Sequence, residues 1–545
     1  MRKFILFLLI LVMASFAVLA VAQNADDIDW RIRKEETENS QIMHTMHYLS
    51  DVYGPRLTGS PNLKAAEDWA MKQMTSWGFR NVHLEPWNFV NPGWTNERFS
   101  AYLIAPAHAR LVGLPEAWTP GTNGPLTADV AVIEPPERPT QEKLAAYLNT
   151  VTDAVKGKIV MVGKPRQIPI NFNEPAKRRD EADLRNLFDP NNPNAGQFFP
   201  RRPQPAEGQD KEKVLTRNEI AKTIDEFLVA HGAVGRINDA GREHGQLISY
   251  ANETYDLTKA VPTVILRNED YGRLYRLLQD QSPVRVELNI QNRSYPEGKT
   301  AYNVIAEIPG SDKKDEVVML GGHFDSWHAA TGATDNAIGA ATMMEAARIL
   351  KAIGVRPRRT IRVALWTGEE EGIWGSQSYV KQHFGSFENP TPEFSKLDAY
   401  LNIDSGTGRA RGASVFGPPE AGTIVREDLK PFADLGVVGA VATKSRRIGG
   451  TDSTSFNNAG LPGIGFMQDP IEYGTYTHHT DLDTYERILP EDAQASAIDI
   501  AAVLYDLATR DDMVPRLTRE QMPPPVVSPY PPPGSAPAAS TQATQ

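Results

Sequence analysis

Side chains that can bind a metal ion or move a proton are concentrated in the second half of the chain, and most follow an apolar run. In chain order they are His323, Asp325, Asp335, Glu369, Glu370, Glu371, Asp404, His478, His479, Asp481 and Asp483. A single histidine or acid at a strand end is usually a cap or a solvated group. Sites in parallel sheets lie beyond the carboxyl ends of the strands. Several strand-like runs that are each followed by such residues therefore predict one shared site.

The residue types favour chemistry at two metal ions. The chain contains no cysteine, so any metal must be bound by imidazole and carboxylate, both of which zinc accepts. Two neighbouring ions need one bridging carboxylate and further ligands on each side, and water between them loses its proton near neutral pH. A separate carboxylate must then take that proton and pass it to the leaving group.

The elements that must position these residues alternate between strand and helix. The helical run "AIGAATMMEAARILKAIG" lies between the strand-like runs "EVVMLGGHFD" and "TIRVALWT". This alternation predicts an α/β fold, with a mostly parallel mixed sheet covered by helices on both faces. We predict that residues 23–115 and 297–510 form this catalytic domain, which contains the metal site.

The segment between these two parts, residues 116–296, is predicted to be a β-rich insertion. Short β-branched runs such as "ADVAVIEPP" and "VKGKIVMVGK" are separated there by turns. A polar stretch near residues 165–217 is too long for an ordinary loop inside a compact domain. We expect this stretch either to be partly disordered or to lie over a neighbouring surface.

The two ends of the chain are predicted to lie outside the folded domains. Arg2 and Lys3 precede an apolar run that ends in an A-x-A pattern, so residues 1–22 are predicted to be a signal peptide. The alternative is an uncleaved membrane anchor, since the run is nearly long enough to span a bilayer. Residues 511–545 are rich in proline and are predicted to be a disordered tail.

These features also limit the partners. A signal peptide predicts a secreted or periplasmic protein that has no stable membrane insertion after cleavage. The formal net charge of −11 argues against nucleic acid as a partner. The oligomeric state stays open, with a homodimer among the alternatives.

Six motifs carry a resemblance to a known family. They are "GGHFDSW", "GATDNAIG", "TGEEEGIWGS", "LNIDSG", "GGTDSTSF" and "THHTDLDTYE". In this order they resemble the secreted co-catalytic zinc exopeptidases of metallopeptidase family twenty-eight. The middle segment is similar to a protease-associated domain, although that likeness is weaker. The resemblance implies the zinc exopeptidase fold, peptide substrates and two Zn²⁺, with other divalent ions as alternatives.

The resemblance also implies a role for each matching residue. The metal ligands would be His323, Asp335, Glu370, Asp404 and His479. Asp335 would bridge the two ions, and Glu369 would be the general base. Asp325 would hydrogen-bond the second ring nitrogen of His323 and fix its tautomer.

Other polar residues near the motifs receive weaker assignments. Glu371 falls at a variable position of its motif, so we expect it to be solvated. We expect His478 to be a neighbour of the ligands and His328 to lie in a pocket wall or at the surface. Related proteins often carry histidine where this chain has Ser453. Asp452 and Ser453 are therefore candidate substrate-binding residues, and the effect of this departure on specificity stays open.

Cleavage at the amino end is the favoured activity, because a site rich in carboxylates lies close to the place for a free ammonium group. A carboxypeptidase or dipeptidase would need cations for a terminal carboxylate, and Arg446 and Arg447 are candidates. A solvated basic turn is the simpler interpretation of this pair. A receptor-like binding protein and a glutaminyl cyclase are further alternatives. The intact ligand set argues against the receptor, and the insertion argues against the cyclase.

Overall fold

Two eight-stranded sheets organise the chain. The computed structural model describes residues 27–173, 177–192, 195–196, 214–252, 254–447 and 450–527. The strands are β1 (Arg80–Asn88), β2 (Gly93–Ala105), β3 (Ala109–Leu111), β4 (Gly113–Pro115), β5 (Leu126–Ile133), β6 (Ile159–Val162), β7 (Gly235–Asp239), β8 (Thr263–Leu266), β9 (Arg285–Tyr295), β10 (Thr300–Ile308), β11 (Lys313–His323), β12 (Arg359–Trp366), β13 (Leu397–Ile403), β14 (Ala410–Phe416), β15 (Ala440–Thr443) and β16 (Gly463–Gln468). The α-helices are α1 (Ile28–Asn39), α2 (Ile42–His47), α3 (Pro61–Ser76), α4 (Gln141–Thr150), α5 (Thr152–Val155), α6 (Glu181–Leu187), α7 (Arg217–Ala230), α8 (Asn268–Gln279), α9 (Ile338–Ala352), α10 (Trp374–His383), α11 (Pro419–Leu429), α12 (Ser453–Ala459) and α13 (Pro490–Thr509).

The first sheet is mixed and has the strand order β1-β10-β12-β11-β13-β16-β14-β15. Four of its seven strand pairs are parallel, and they include the central run β12-β11-β13-β16. The predicted fold class is therefore confirmed. Because the four central strands point the same way, their carboxyl ends meet at one edge of the sheet.

Helices bury both faces of this sheet, as the sequence predicts. Side chains of a strand alternate between the faces. Val318 and Leu320 of β11 therefore pack in the core that includes α9 and α13. Their neighbours Val317 and Met319 face the other way and pack with residues of α10 and α12.

The second sheet has the order β3-β2-β9-β5-β6-β7-β8-β4 and forms the inserted unit. The predicted boundary at residue 116 is too late, because β2 already belongs to this sheet. Its antiparallel ladder with β9 runs from Gly93 opposite Tyr295 to Ala105 opposite Arg285. The insertion therefore begins near residue 93. Its identification as a protease-associated domain stays a prediction.

The described part of the long polar stretch lies over the catalytic sheet, which was one of the two expectations. Leu184 and Phe188, in and just after α6, are buried against Val441 and Met467. Residues 174–176, 193–194 and 197–213 lie outside the described residues.

The C-terminal segment is ordered further than expected. The tail was predicted to begin at residue 511, but Val514 and Leu517 are buried. The Val514 amide donates to Asp398 Oδ1 at 2.6 Å, and Arg516 donates to the Phe394 carbonyl at 3.0 Å. The tail boundary at 511 is therefore wrong. Residues 528–545 and the predicted signal peptide, residues 1–22, lie outside the described residues.

Arg56 fixes the loop that follows β11. Its buried guanidinium donates to the carbonyls of Phe324 (2.8 Å), Thr331 (2.9 Å) and Gly332 (3.0 Å). Gly332 has a φ of +66°, a conformation that glycine adopts without steric cost. The N-terminal part of the chain thereby holds the loop that leads to Asp335.

Candidate active site

Asp335 lies between two imidazoles. Its Oδ1 is 3.2 Å from His323 Nε2, and its Oδ2 is 3.2 Å from His479 Nε2. On the first side, His323 Nε2 is also 3.6 Å from Asp404 Oδ1. On the second side, His479 Nε2 is 3.0 Å from Glu370 Oε2. All five sequence-predicted ligands are thus brought together.

The central strands account for this convergence. His323 is the last residue of β11, and Asp404 directly follows β13. Glu370 lies in the turn after β12, and His479 lies in the loop after β16. Each of these residues lies at or beyond the end of an apolar strand that is buried in the sheet. The ends of the strands therefore bring the cluster together.

His478 is the less favourable of the two adjacent histidines as a ligand. Its Nε2 is 3.8 Å from Asp335 Oδ2, although it could join Asp335 and His479 around an ion. Its ring stacks on that of His479 with 3.8 Å between centroids. His478 is therefore placed as a neighbour of the cluster, as expected.

The donor set fits zinc. Imidazole nitrogen and carboxylate oxygen are its usual ligands when cysteine is absent. Glu370 Oε1 is buried and accepts no hydrogen bond from the residues that the structure describes. A buried carboxylate oxygen without a donor is costly, and a cation would satisfy it.

Burial and mutual proximity shift the pKa values in opposite directions. Burial raises the pKa of Glu369 well above its ordinary value and that of Glu370 to about 7. Burial also opposes ionisation of Asp335, but His323 and His479 hold its pKa well below the ordinary value. Asp335 therefore carries the most persistent negative charge of these three acids.

The Asp325 carboxylate accepts hydrogen bonds from the turn after β12, and not from His323 as the resemblance implies. This carboxylate is 3.8 Å from His323 Nδ1, too far for a hydrogen bond, whereas the backbone carbonyl of Asp325 is 3.1 Å away. The carboxylate accepts the amides of Glu369 (3.3 Å) and Glu370 (3.2 Å). It also accepts the Thr58 hydroxyl at 3.2 Å. The predicted side-chain contact is therefore wrong, and Asp325 positions the glutamate turn.

The inserted unit holds the loop that carries His479. The Ser249 amide donates to the His479 carbonyl at 2.8 Å. The Leu247 amide donates to Asp481 Oδ1 at 2.8 Å, and the Asp481 amide returns a bond to the Leu247 carbonyl at 3.1 Å. His479 itself has a φ of +62°, which is uncommon for a residue other than glycine. The insertion thus supports a strained ligand position.

A cavity of about 640 Å³ opens on the cluster. Glu369 lines it, at a position suited to meeting a substrate. Glu371 also lines it and is buried, so the expectation of a solvated side chain is wrong. The reason is a tight turn, in which the amides of Gly372 and Ile373 both donate to the Glu369 carbonyl. This turn directs the consecutive glutamates inward.

Arg446 is neither the candidate fork nor part of a solvated basic turn, the interpretation that the sequence favours. Its side chain is 1% exposed and is held inside the protein by Glu388, at 2.7 Å, and by the Asn458 carbonyl, at 3.0 Å. Arg447 is exposed and does not line the cavity. The pair therefore offers no fork to a substrate in this cavity.

The remaining candidates lie around the cavity without lining it. Asp452 and Ser453 are buried at the start of α12. Burial raises the pKa of Asp452 to about 7. His328 lies where the two units meet, with Nε2 2.8 Å from the Pro115 carbonyl, and burial lowers its pKa to about 4. His328 therefore contacts the backbone of the inserted unit.

Arg179 and Tyr473 are among the residues of the cavity wall that sequence reasoning missed. Arg179 belongs to the polar stretch of the insertion, where many similar residues are exposed. Tyr473 precedes the motif "THHTDLDTYE", in which the sequence identifies only the histidines and acids as candidates. Both positions depend on how distant segments dock, so no local pattern identifies them.

A mixed α/β sheet whose parallel strands end in a buried cluster of imidazoles and carboxylates fits a metal-dependent hydrolase. Residues 303–504 of the chain match the family model described as peptidase family M28. The family resemblance found in the sequence is thereby confirmed. None of the helices among the described residues is both long and apolar enough to cross a membrane.

Similar proteins extend this comparison over most of the chain. Carboxypeptidase Q of Mus musculus is 26% identical over 471 residues, which cover 86% of this chain and 86% of that protein. The crystal structure of a peptidase M28 precursor from Shewanella amazonensis has a TM-score of 0.62 at 24% identity, covering 91% of this chain and 100% of that one. BSAP, a zinc aminopeptidase from Bacillus subtilis, has a TM-score of 0.54 at 19% identity, covering 86% and 95%. These two structures share the fold.

The contacts of Asp325 generate a testable prediction. Asp325→Ala leaves the Glu369 and Glu370 amides without their acceptor, so the Glu370 side chain loses its fixed position. We expect metal affinity to fall by about 10–100-fold, the usual effect of removing such a supporting group. Competition against a chelator measures it. Asp315→Ala, at an exposed position of β11, is the control, and equal affinities in both variants would contradict the assignment.

Proposed function

We propose that the chain is a dinuclear zinc exopeptidase that hydrolyses peptide bonds at chain ends. His323 and Asp404 would hold one ion, and Glu370 and His479 the other, with Asp335 shared between them. The observation that carries this proposal is the buried Asp335 carboxylate, whose two oxygens face two different imidazoles. One ion would need only one of these sides.

The proposed mechanism uses Glu369 as the general base. Zinc at this site would supply Lewis acidity and lower the pKa of water. Glu369 then accepts a proton from the water whose oxygen attacks the peptide carbonyl. As the C–N bond breaks, Glu369 returns that proton to the leaving amine nitrogen. Asp325 supports this transfer by holding the amide of Glu369.

The amino end of the peptide is the proposed point of attack. The acidic side chains of Glu369, Glu371 and Asp404 line the cavity, so their oxygens are available to accept hydrogen bonds from a free ammonium group. Cleavage at the carboxyl end is the second candidate, because relatives that span 86% of the chain bear the name carboxypeptidase Q. The proposed site of action is outside the cytoplasm, which rests on the predicted signal peptide of residues 1–22.

The first prediction from this proposal concerns metal content. Purified protein should contain about two zinc ions per chain, because Asp335 serves two ligand sets. Elemental analysis measures the content. Removal of the metal by a chelator should abolish peptidase activity, and added zinc should restore it. A folded sample that remains fully active after complete chelation would contradict the proposal.

A second prediction separates catalysis from metal binding. Glu369→Gln keeps the size of the side chain but removes its basicity, so kcat should fall by about 10²–10⁴-fold. Zinc content and thermal unfolding should stay unchanged. Both are measured on the same preparation.

The matched control is Glu420→Gln, at an exposed position in the first turn of α11. It should leave kcat unaltered. Glu371→Gln cannot serve as a silent control, because Glu371 is buried in the cavity wall. Loss of zinc in Glu369→Gln would show that Glu369 is a ligand instead of the base.

A third prediction concerns the direction of attack. A peptide with a free amine and an amidated carboxyl end should be hydrolysed, because the cavity acids can receive its ammonium group. The same peptide with an acetylated amine and a free carboxyl end should resist. Product analysis by chromatography decides between them, and the reverse pattern would establish a carboxypeptidase.

A further inference from the structure

A segment of the insertion is anchored beside the active site by ion pairs between a half-exposed arginine and buried carboxylates. Arg178 donates to Asp492 Oδ1 at 3.1 Å and to Asp469 Oδ2 at 3.2 Å. Both carboxylates are almost fully buried, with 2% and 0% of their side chains exposed. Leu184 and Phe188 add the apolar contact already described. This anchoring fixes the backbone of the next residue, Arg179.

Arg179 presents a cation to the cavity. Its amide donates to Asp469 Oδ1 at 2.9 Å, and its Nε donates to the Gln468 carbonyl at 2.9 Å. Asp469 Oδ2 is engaged by Arg411 at 2.9 Å and by Arg178. Among the residues that the structure describes, none pairs with the two Nη atoms of Arg179. The half-buried side chain lines the same cavity as Asp335 and Glu369.

The two Nη donors of Arg179, which have no partner among the described residues, can receive an anion. Two Nη donors in one plane match the two oxygens of a carboxylate. Burial lowers the pKa of Arg179, which reflects the cost of removing this charge from water. A cavity of about 640 Å³ suits a small ligand, so a short peptide can reach both the metal ligands and Arg179.

We propose that Arg179 binds the free α-carboxylate of short peptide substrates and thereby sets a preference for an unblocked carboxyl end. This rests on the proposed exopeptidase function and deepens it. The carboxylates of the cavity would receive the ammonium group, and Arg179 would receive the opposite end. The docked segment of the insertion is then a specificity-determining part of the site.

The test compares leucyl-leucine with leucyl-leucine amide. Calorimetry uses the zinc-loaded Glu369→Gln protein, which binds without turnover. The free acid should bind about 10–100-fold tighter than the amide, the range expected for a charge-assisted pair. Arg179→Gln in the same background should bring this ratio close to one, and Arg179→Lys should retain part of it. Leucyl-glutamine amide and leucyl-glutamate amide test whether a side-chain carboxylate can take the same place.

Arg185→Gln is the matched control, because Arg185 lies on the same segment and its side chain is 67% exposed. It should leave the ratio unchanged. Three results would overturn the inference. The first is a free-acid to amide affinity ratio near one in the Glu369→Gln protein, and the second is an unchanged ratio after Arg179→Gln is added. The third is a leucyl-glutamate amide that binds as tightly as leucyl-leucine. Hydrolysis of the two dipeptides by the native protein is measured in parallel. If neither is cleaved while the binding ratio holds, the exopeptidase proposal fails and the role of Arg179 stands.

Discussion

The burial of Asp335 between two imidazoles is the constraint on which the rest of the site depends. A carboxylate that is 4% exposed is stable only when opposite charge or donors surround it. His323 and His479 supply these on separate sides, and each histidine has a further carboxylate beside it. The backbone at Asp335 is held as well, because Asp483 accepts the amides of Thr334 (2.5 Å) and Asp335 (3.3 Å). Asp483 thereby fixes the direction in which the shared carboxylate points.

The strands, and the residues that cluster at their ends, could be predicted from the sequence because both have local signals. Apolar runs of β-branched residues mark β11, β12 and β13, and a strand ends where polar side chains begin. His323 and Asp404 stand at these ends. Parallel pairing then brings the ends together without further information. The family resemblance implied a role for each residue, with Glu370 as a metal ligand and Glu369 as the general base.

The errors fall where distant segments decide the environment. The variable motif position of Glu371 predicts a solvated side chain, but the turn after β12 folds it into the cavity wall. Arg446 looked like a free basic residue, yet Glu388 and a backbone carbonyl occupy its guanidinium. The insertion begins near residue 93 because β2 pairs with β9. Gly93 lies opposite Tyr295, about 200 residues later along the chain. No short pattern encodes such pairings, whose energy comes from tertiary contact.

The insertion is part of the active site in physical terms and not only a cover for it. His479 stands in the left-handed region, which costs a residue with a Cβ about 1–2 kcal/mol. Backbone bonds from Leu247 and Ser249 to the 479–481 loop can offset that cost, because each satisfies groups at the cavity edge. The same unit carries Arg179 into the cavity wall. One inserted element therefore stabilises a ligand of the proposed metal pair and presents the cation proposed to receive the far end of the substrate. Separating the two units would disturb both at once.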